Sequence, residues 1–176
     1  GQAVTDSLVL SWPAEKGFYE ASPEAGIVKM AVWNRYQEES VPQIGFLKGL
    51  GLKRGALAQT VSHDSHQLVC AGTDDGDILL AARTAASLGG GLALVLDGRV
   101  LGTLALPLGG LMTHEPVEKI ASVLDSLLAA GRSLGLEGEM DPFLVLGFMS
   151  LPVIPRLKLT SAGLIEDFKL VPLVFD

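Results

Sequence analysis

Two of the chain's three histidines lie three residues apart in Ser62-His63-Asp64-Ser65-His66, a polar corner between the apolar runs Ala56 to Val61 and Gln67 to Gly72. Imidazole titrates near neutral pH, so such a pair can shuttle protons, hydrogen-bond a heterocycle or ligate a metal, and a carboxylate such as Asp64 can fix its tautomer. The spacing is not that of a His-Glu-x-x-His zinc helix, and a three-ligand site would need Cys70 or His114 to arrive from elsewhere. Ser65 has no Gly-x-Ser-x-Gly elbow around it that would make it a nucleophile. The corner is read foremost as part of a ligand or substrate site, with a structural polar turn and a self-contained metal site as the alternatives. His114 stands in Gly109-Gly110-Leu111-Met112-Thr113-His114-Glu115-Pro116, directly ahead of the longest predicted helix, where free amides favour polar or anionic ligands. Thr113 or a neighbour acting only as an N-cap is the simpler reading there. A loop that converges on His63 to His66 is the sharper one.

Short strands and their turns must hold these residues in place. Ile27 to Trp33, after the turn signal Ser22-Pro23-Glu24-Ala25-Gly26, reads as a strand, and Leu8-Val9-Leu10 before Trp12-Pro13 as a second early one. Gly45 to Gly55 reads as tight turns or close backbone approach, and Lys53-Arg54 as a solvated basic pair on it. Its glycines have one residue too many for a dinucleotide fingerprint. Ala56 to Val61 and Gln67 to Gly72 are the strands flanking the corner, and Thr73-Asp74-Asp75-Gly76 caps a helix over Asp77 to Leu88 that ends at Gly89-Gly90-Gly91. Asp97-Gly98 joins Leu92 to Leu96 and Val100 to Leu106 in a two-residue hairpin. From Glu115-Pro116 a helix runs to about Leu134, and its broad apolar face, from Val117 to Leu128, requires a sheet to pack on. Phe143 to Met149 is a short helix or strand between prolines, and Leu164 to Phe175 a closing strand-like segment. The predicted fold class is α/β or α+β, a layered mixed sheet with hairpins packed against two or more helices. Residues 1–176 are expected to form one domain, with 1–40 supplying its N-terminal strands.

The chain has 176 residues, 48% of them hydrophobic, and a mean hydropathy of +0.40, so it is a globular chain with a large core and apolar surface left over for a partner. Thirteen basic residues against 20 acidic ones leave a net charge of −7, which argues against a nucleic acid polymer as ligand. Leu88 to Met112 is the most apolar stretch, but Asp97, Arg99 and its glycines break it, so no membrane span is expected. Neither a basic start nor an apolar signal core opens the sequence, and the single cysteine, Cys70, reads as a small buried hydrophobe. A cytoplasmic location is expected.

Gly51-Leu52-Lys53-Arg54-Gly55-Ala56-Leu57-Ala58 running into Ser62-His63-Asp64-Ser65-His66 resembles the C-terminal domain of bacterial and archaeal adenine deaminases of the amidohydrolase superfamily. Leu106-Pro107-Leu108-Gly109-Gly110-Leu111-Met112, Asp141-Pro142-Phe143 and Leu151-Pro152-Val153-Ile154-Pro155 with Leu157-Lys158-Leu159-Thr160 continue the likeness, which covers about Val41 to Phe175. Gln67 stands where the family usually has Asn, and Thr113-His114 where it usually has Ser-Asp. The resemblance implies hydrolytic conversion of adenine to hypoxanthine and ammonia by a longer protein, with a divalent metal, Mn or Fe, held by a preceding β/α barrel of about 250 residues. No metal ligand set and no catalytic residue is assigned to this chain, and no cofactor is expected on it alone. Its implied partners are that barrel, on the same polypeptide or a separate subunit, a small purine, and a second copy in a homodimer. On this resemblance the corner of His63, Asp64, Ser65 and His66 is presented to the active-site side, where its side chains hydrogen-bond purine nitrogens or hold the closing loop, with His114 nearby. The competing reading is a stand-alone, non-catalytic module that binds a purine or a protein, and the plainest is a structural domain that stabilises a dimer.

Overall fold

A computed structural model describes residues 4–9, 19–136, 138 and 140–173. Six strands, β1 (Ile27–Trp33), β2 (Gln43–Lys48), β3 (Ala56–Gln59), β4 (Leu68–Gly72), β5 (Gly91–Leu96) and β6 (Arg99–Ala105), form one sheet in the order β2-β1-β4-β3-β5-β6. Every neighbouring pair in it is antiparallel. Helices α1 (Asp75–Ser87), α2 (Val117–Ser133) and α3 (Pro142–Phe148) pack around it, and β7 (Leu157–Thr160), β8 (Gly163–Glu166) and β9 (Lys169–Leu170) make a small second sheet. The α+β half of the expected class therefore applies, and the sheet is not mixed.

Alternation along the strands divides the core in two, because successive side chains point to opposite faces. One face carries the small side chains Ala31, Ala56, Ala58, Cys70 and Ala93, against which Ile78, Ala81, Ala82 and Ala85 of α1 pack. Small residues on both sides let the helix lie close: a Cβ added at Gly72 would come within 2.5 Å of Ile78. The other face carries the larger Val28, Met30, Val32, Leu57, Val69, Leu92 and Leu94, covered by Leu127 of α2, Phe143 and Leu146 of α3, Leu159 of β7 and the loop residues Leu50 and Leu52. Cys70 is fully buried, and desolvation pushes its thiol well above the usual range, so it is an inert core residue.

Helix α1 also fixes the β5–β6 hairpin. Asp74 caps the helix by accepting a hydrogen bond from the Asp77 amide at 3.0 Å, and the buried Asp77 carboxylate accepts from the amides of Asp97 and Gly98 at 3.0 and 2.8 Å. Both turn residues take positive φ, 50° and 71°, as the Asp-Gly pair requires. Removing the carboxylate in Asp77→Ala should cost about 2 kcal/mol, because charge-assisted bonds to two turn amides are lost. Urea denaturation reads this; a change below about 0.5 kcal/mol, the size of an ordinary surface substitution, would contradict it.

Several expectations are corrected. Gly45 to Lys48 is strand, not turn, and the bare Gly45 lets Leu159 of β7 lie where a Cβ would sit 3.2 Å from it. Leu8 and Val9 belong to no strand, and Leu10, Trp12 and Pro13 of that expected element lie outside the described residues, as do Val174 and Phe175 at the other end. The closing segment is interrupted at Asp167 and Phe168, both at positive φ, which turn β8 back into β9. Helix α2 runs along edge strand β6 and buries only Leu127 and Gly131, so much of its apolar face stays half-exposed. Pro116, not Thr113, occupies its N-cap position, and Thr113 instead accepts from the Glu115 amide at 3.3 Å. No helix among the described residues is long and apolar enough to cross a membrane.

Candidate functional site

The strand pairings bring the polar motifs to one end of the sheet. Trp33 at the end of β1 pairs with Leu68 at the start of β4, Gln59 at the end of β3 pairs with Leu92, and Gly91 at the start of β5 pairs with Ala105 at the end of β6. Consequently the turn after β1, the corner between β3 and β4, and the Pro107 to Met112 loop after β6 emerge side by side. Residues distant in sequence are placed together by antiparallel register alone.

Side chains then tie these loops to one another. Thr60 Oγ1, buried beneath the corner, accepts from the Gly91 amide at 2.7 Å and donates to the Gly110 carbonyl at 2.6 Å. The backbones approach so closely that a Cβ on Gly90 would fall 2.3 Å from the Gly110 Cα. Arg35 reaches across the top: its Nε donates to the His66 carbonyl and its Nη2 to the Gly109 carbonyl, each at 2.5 Å. The Arg35 amide donates to Gln67 Oε1 at 3.1 Å. From below, α3 closes the corner: Gln59 donates to the Phe143 carbonyl, and the Ser62 hydroxyl bonds the Ser150 hydroxyl, which donates to Gly147 O at 3.0 Å. Asp141 starts that helix by accepting from the Phe143 amide at 2.8 Å.

On this rigid base His63, Asp64 and Ser65 are exposed at the tip of a turn closed by the His66 amide donating to Ser62 O at 2.6 Å. The His63 and His66 rings lie 5.6 Å apart, tilted by 52°. His66 takes φ +50°, and its Nδ1 is buried with no hydrogen-bond partner among the described residues. The Gly109–Gly110 loop does converge on the corner, as expected. His114, four residues further on, is exposed and makes no hydrogen bond or ring contact with the corner among the described residues. Lys53 and Arg54 are exposed, as a solvated pair should be.

Sequence reasoning missed Arg35 and Tyr36. No motif marks them, and the bonds that define Arg35 span 31 and 74 residues. The available signal was a cation directly after a strand, at the end where the histidine corner emerges.

Elsewhere, Lys29 in β1 bonds Asp75 at 2.7 Å and Glu20 at 3.3 Å. Burial pulls its pKa down, but the two carboxylates outweigh burial and leave it raised. Lys158 donates to Thr5 at 2.9 Å, and burial lowers its pKa. Among the described residues no three His, Cys, Asp or Glu side chains gather as a metal ion would require, so the donor set does not fit one.

The geometry defines an α+β domain whose loops clasp a histidine corner at one end of an antiparallel sheet. That chain belongs to the adenine deaminase C-terminal domain family, whose model matches residues 2–169. It is 46% identical to adenine deaminase 2 of Carboxydothermus hydrogenoformans over 97% of this chain and 30% of the relative. It is 45% identical to the adenine deaminase of Oleidesulfovibrio alaskensis over 98% of this chain and 30% of the relative, and 44% identical to that of Syntrophobacter fumaroxidans over 94% and 29%. The chain thus spans under a third of the length of these relatives.

Proposed function

We propose that this domain serves a longer adenine deaminase, which converts adenine and water to hypoxanthine and ammonia, by closing the mouth of a separate catalytic domain. The observation that carries this reading is the family match over residues 2–169 in a chain equal to only 30% of relatives named adenine deaminase. Activation of water belongs to that other domain, where the family's divalent metal would be held. This chain supplies the cover. Its half-exposed α2 face and the exposed Val100 and Leu101 of β6 suit an apolar seam with the barrel or with a second copy in a dimer.

The corner is the part presented to substrate. His63, Asp64, Ser65 and His66 offer donors and acceptors for purine nitrogens from an exposed turn on a fixed base, and His114 joins them from the continuation of the glycine loop. Closing the site excludes water and strengthens each such hydrogen bond by lowering the local dielectric. A lone buried cysteine suits work in a reducing cytoplasm.

Alanine at His63, Asp64, Ser65, His66 and His114 in the full-length deaminase carrying this domain tests the assignment. The His66 variant should raise KM for adenine about tenfold, the worth of one lost hydrogen bond in a desolvated site, and the His114 variant should do least. Wild-type kinetics in all five would overturn the substrate-facing role. Calorimetric binding of adenine by the chain alone would instead favour a stand-alone purine module.

A further inference from the structure

His66 differs from its exposed neighbours in two ways. A left-handed backbone is uncommon for a residue with a side chain, and a buried imidazole nitrogen without a partner is costly, since nearly all such atoms are satisfied. Something must hold His66 in this state. Two side chains donate to its carbonyl, Arg35 Nε at 2.5 Å and, more weakly, the Tyr36 hydroxyl at 3.4 Å. The guanidinium has a geometry suited to holding two loops at once, because its planar fork sends Nε to His66 O and Nη2 to Gly109 O. One rigid group therefore sets the separation of the corner and the glycine loop. Tyr36 steadies the fork from the next position, with its hydroxyl 2.9 Å from Nη2 and its ring centroid 4.6 Å from Cζ. Gly110 leaves room for it, because a Cβ there would lie 2.7 Å from Nη1.

We propose that Arg35 is a positioning residue: by clamping the carbonyls of His66 and Gly109 it holds the half-exposed His66 imidazole so that its accessible edge meets a ring nitrogen or N–H of a bound purine. This rests on the substrate-facing role given to the corner above. Each nitrogen of a neutral imidazole carries one donor or one acceptor, which a purine edge can match at the accessible side of the ring and a bulk apolar partner cannot. Lysine would keep the charge at this position but has no fork to span two carbonyls.

Two measurements on Arg35→Lys test this, with His66→Ala alongside. In this chain, amide hydrogen exchange over residues 107–112 should quicken at least about tenfold, as a loop released from its tether opens more often. In the full-length deaminase, KM for adenine should rise about tenfold with kcat changed by less than about threefold, because ground-state placement and not the chemical step is lost. Adding Arg35→Lys to His66→Ala should then raise KM by no more than about twofold over His66→Ala alone, since both act through one hydrogen bond. Unchanged exchange overturns the clamp. Faster exchange with wild-type kinetics in both single variants overturns the corner's substrate-facing role and the proposal with it. Fully additive KM effects would show that Arg35 acts on substrate by some route other than His66, and would overturn the proposal while leaving the corner's role standing.

Discussion

Gly91→Ala should destabilise the fold by about 4 kcal/mol, in the range of a clash added to a strained backbone. Gly91 opens β5 with φ +136°, and a Cβ there would sit 1.9 Å from the Leu104 carbonyl of β6. The clash cannot be relieved cheaply, because the Leu104 oxygen belongs to the backbone and a Cβ is fixed by the backbone that carries it, at the end of the sheet where the loops converge. Gly98→Ala is the matched control: its φ of +71° is also left-handed, but a Cβ would meet nothing within 4 Å. Only the conformational cost of about 1 kcal/mol should appear there. Thermal or urea unfolding of the two variants side by side measures the difference, and equal midpoints would show that close approach at Gly91 is not limiting.

Thr60→Val should cost about 3 kcal/mol although it conserves shape, because it orphans two buried backbone groups at once. The hydroxyl takes the Gly91 amide at 2.7 Å and gives its proton to the Gly110 carbonyl at 2.6 Å, and Thr60 is only 2% exposed. No water can replace the lost partner without displacing packed residues. Thr60→Ser keeps the hydroxyl and should cost less than about 1 kcal/mol, the contribution of one buried methyl. If the valine variant unfolds at the same denaturant concentration as the serine variant, the bridge contributes nothing and the glycine loop is held by other means.

Local chemistry made much of the fold legible. The β-branched run of β1, the Asp-Gly hairpin and the capped α1 follow from signals that act within a few residues, and the structure places them within a residue or two of their expected bounds. Strand β2 was hidden because Gly45 reads as a turn residue until Leu159, more than a hundred positions away, is seen to fill the space beside it. The site divides similarly. The histidine corner and the glycine loop could be singled out by residue type, and the antiparallel pairing brings both to one end of the sheet. Arg35 could not be, since its partners His66 and Gly109 become neighbours only through the strand order β1-β4-β3-β5-β6. His114 was singled out by type, but the structure gives it no contact with the corner among the described residues.

A structure of the full-length deaminase carrying this domain, with hypoxanthine bound, is the most direct measurement. Expected is residues 63–66 lining the mouth of the catalytic domain, with the His66 imidazole in hydrogen-bond reach of the purine, directly or through one water. A corner turned to bulk solvent, with the purine wholly enclosed by the other domain, would contradict the role assigned to this chain.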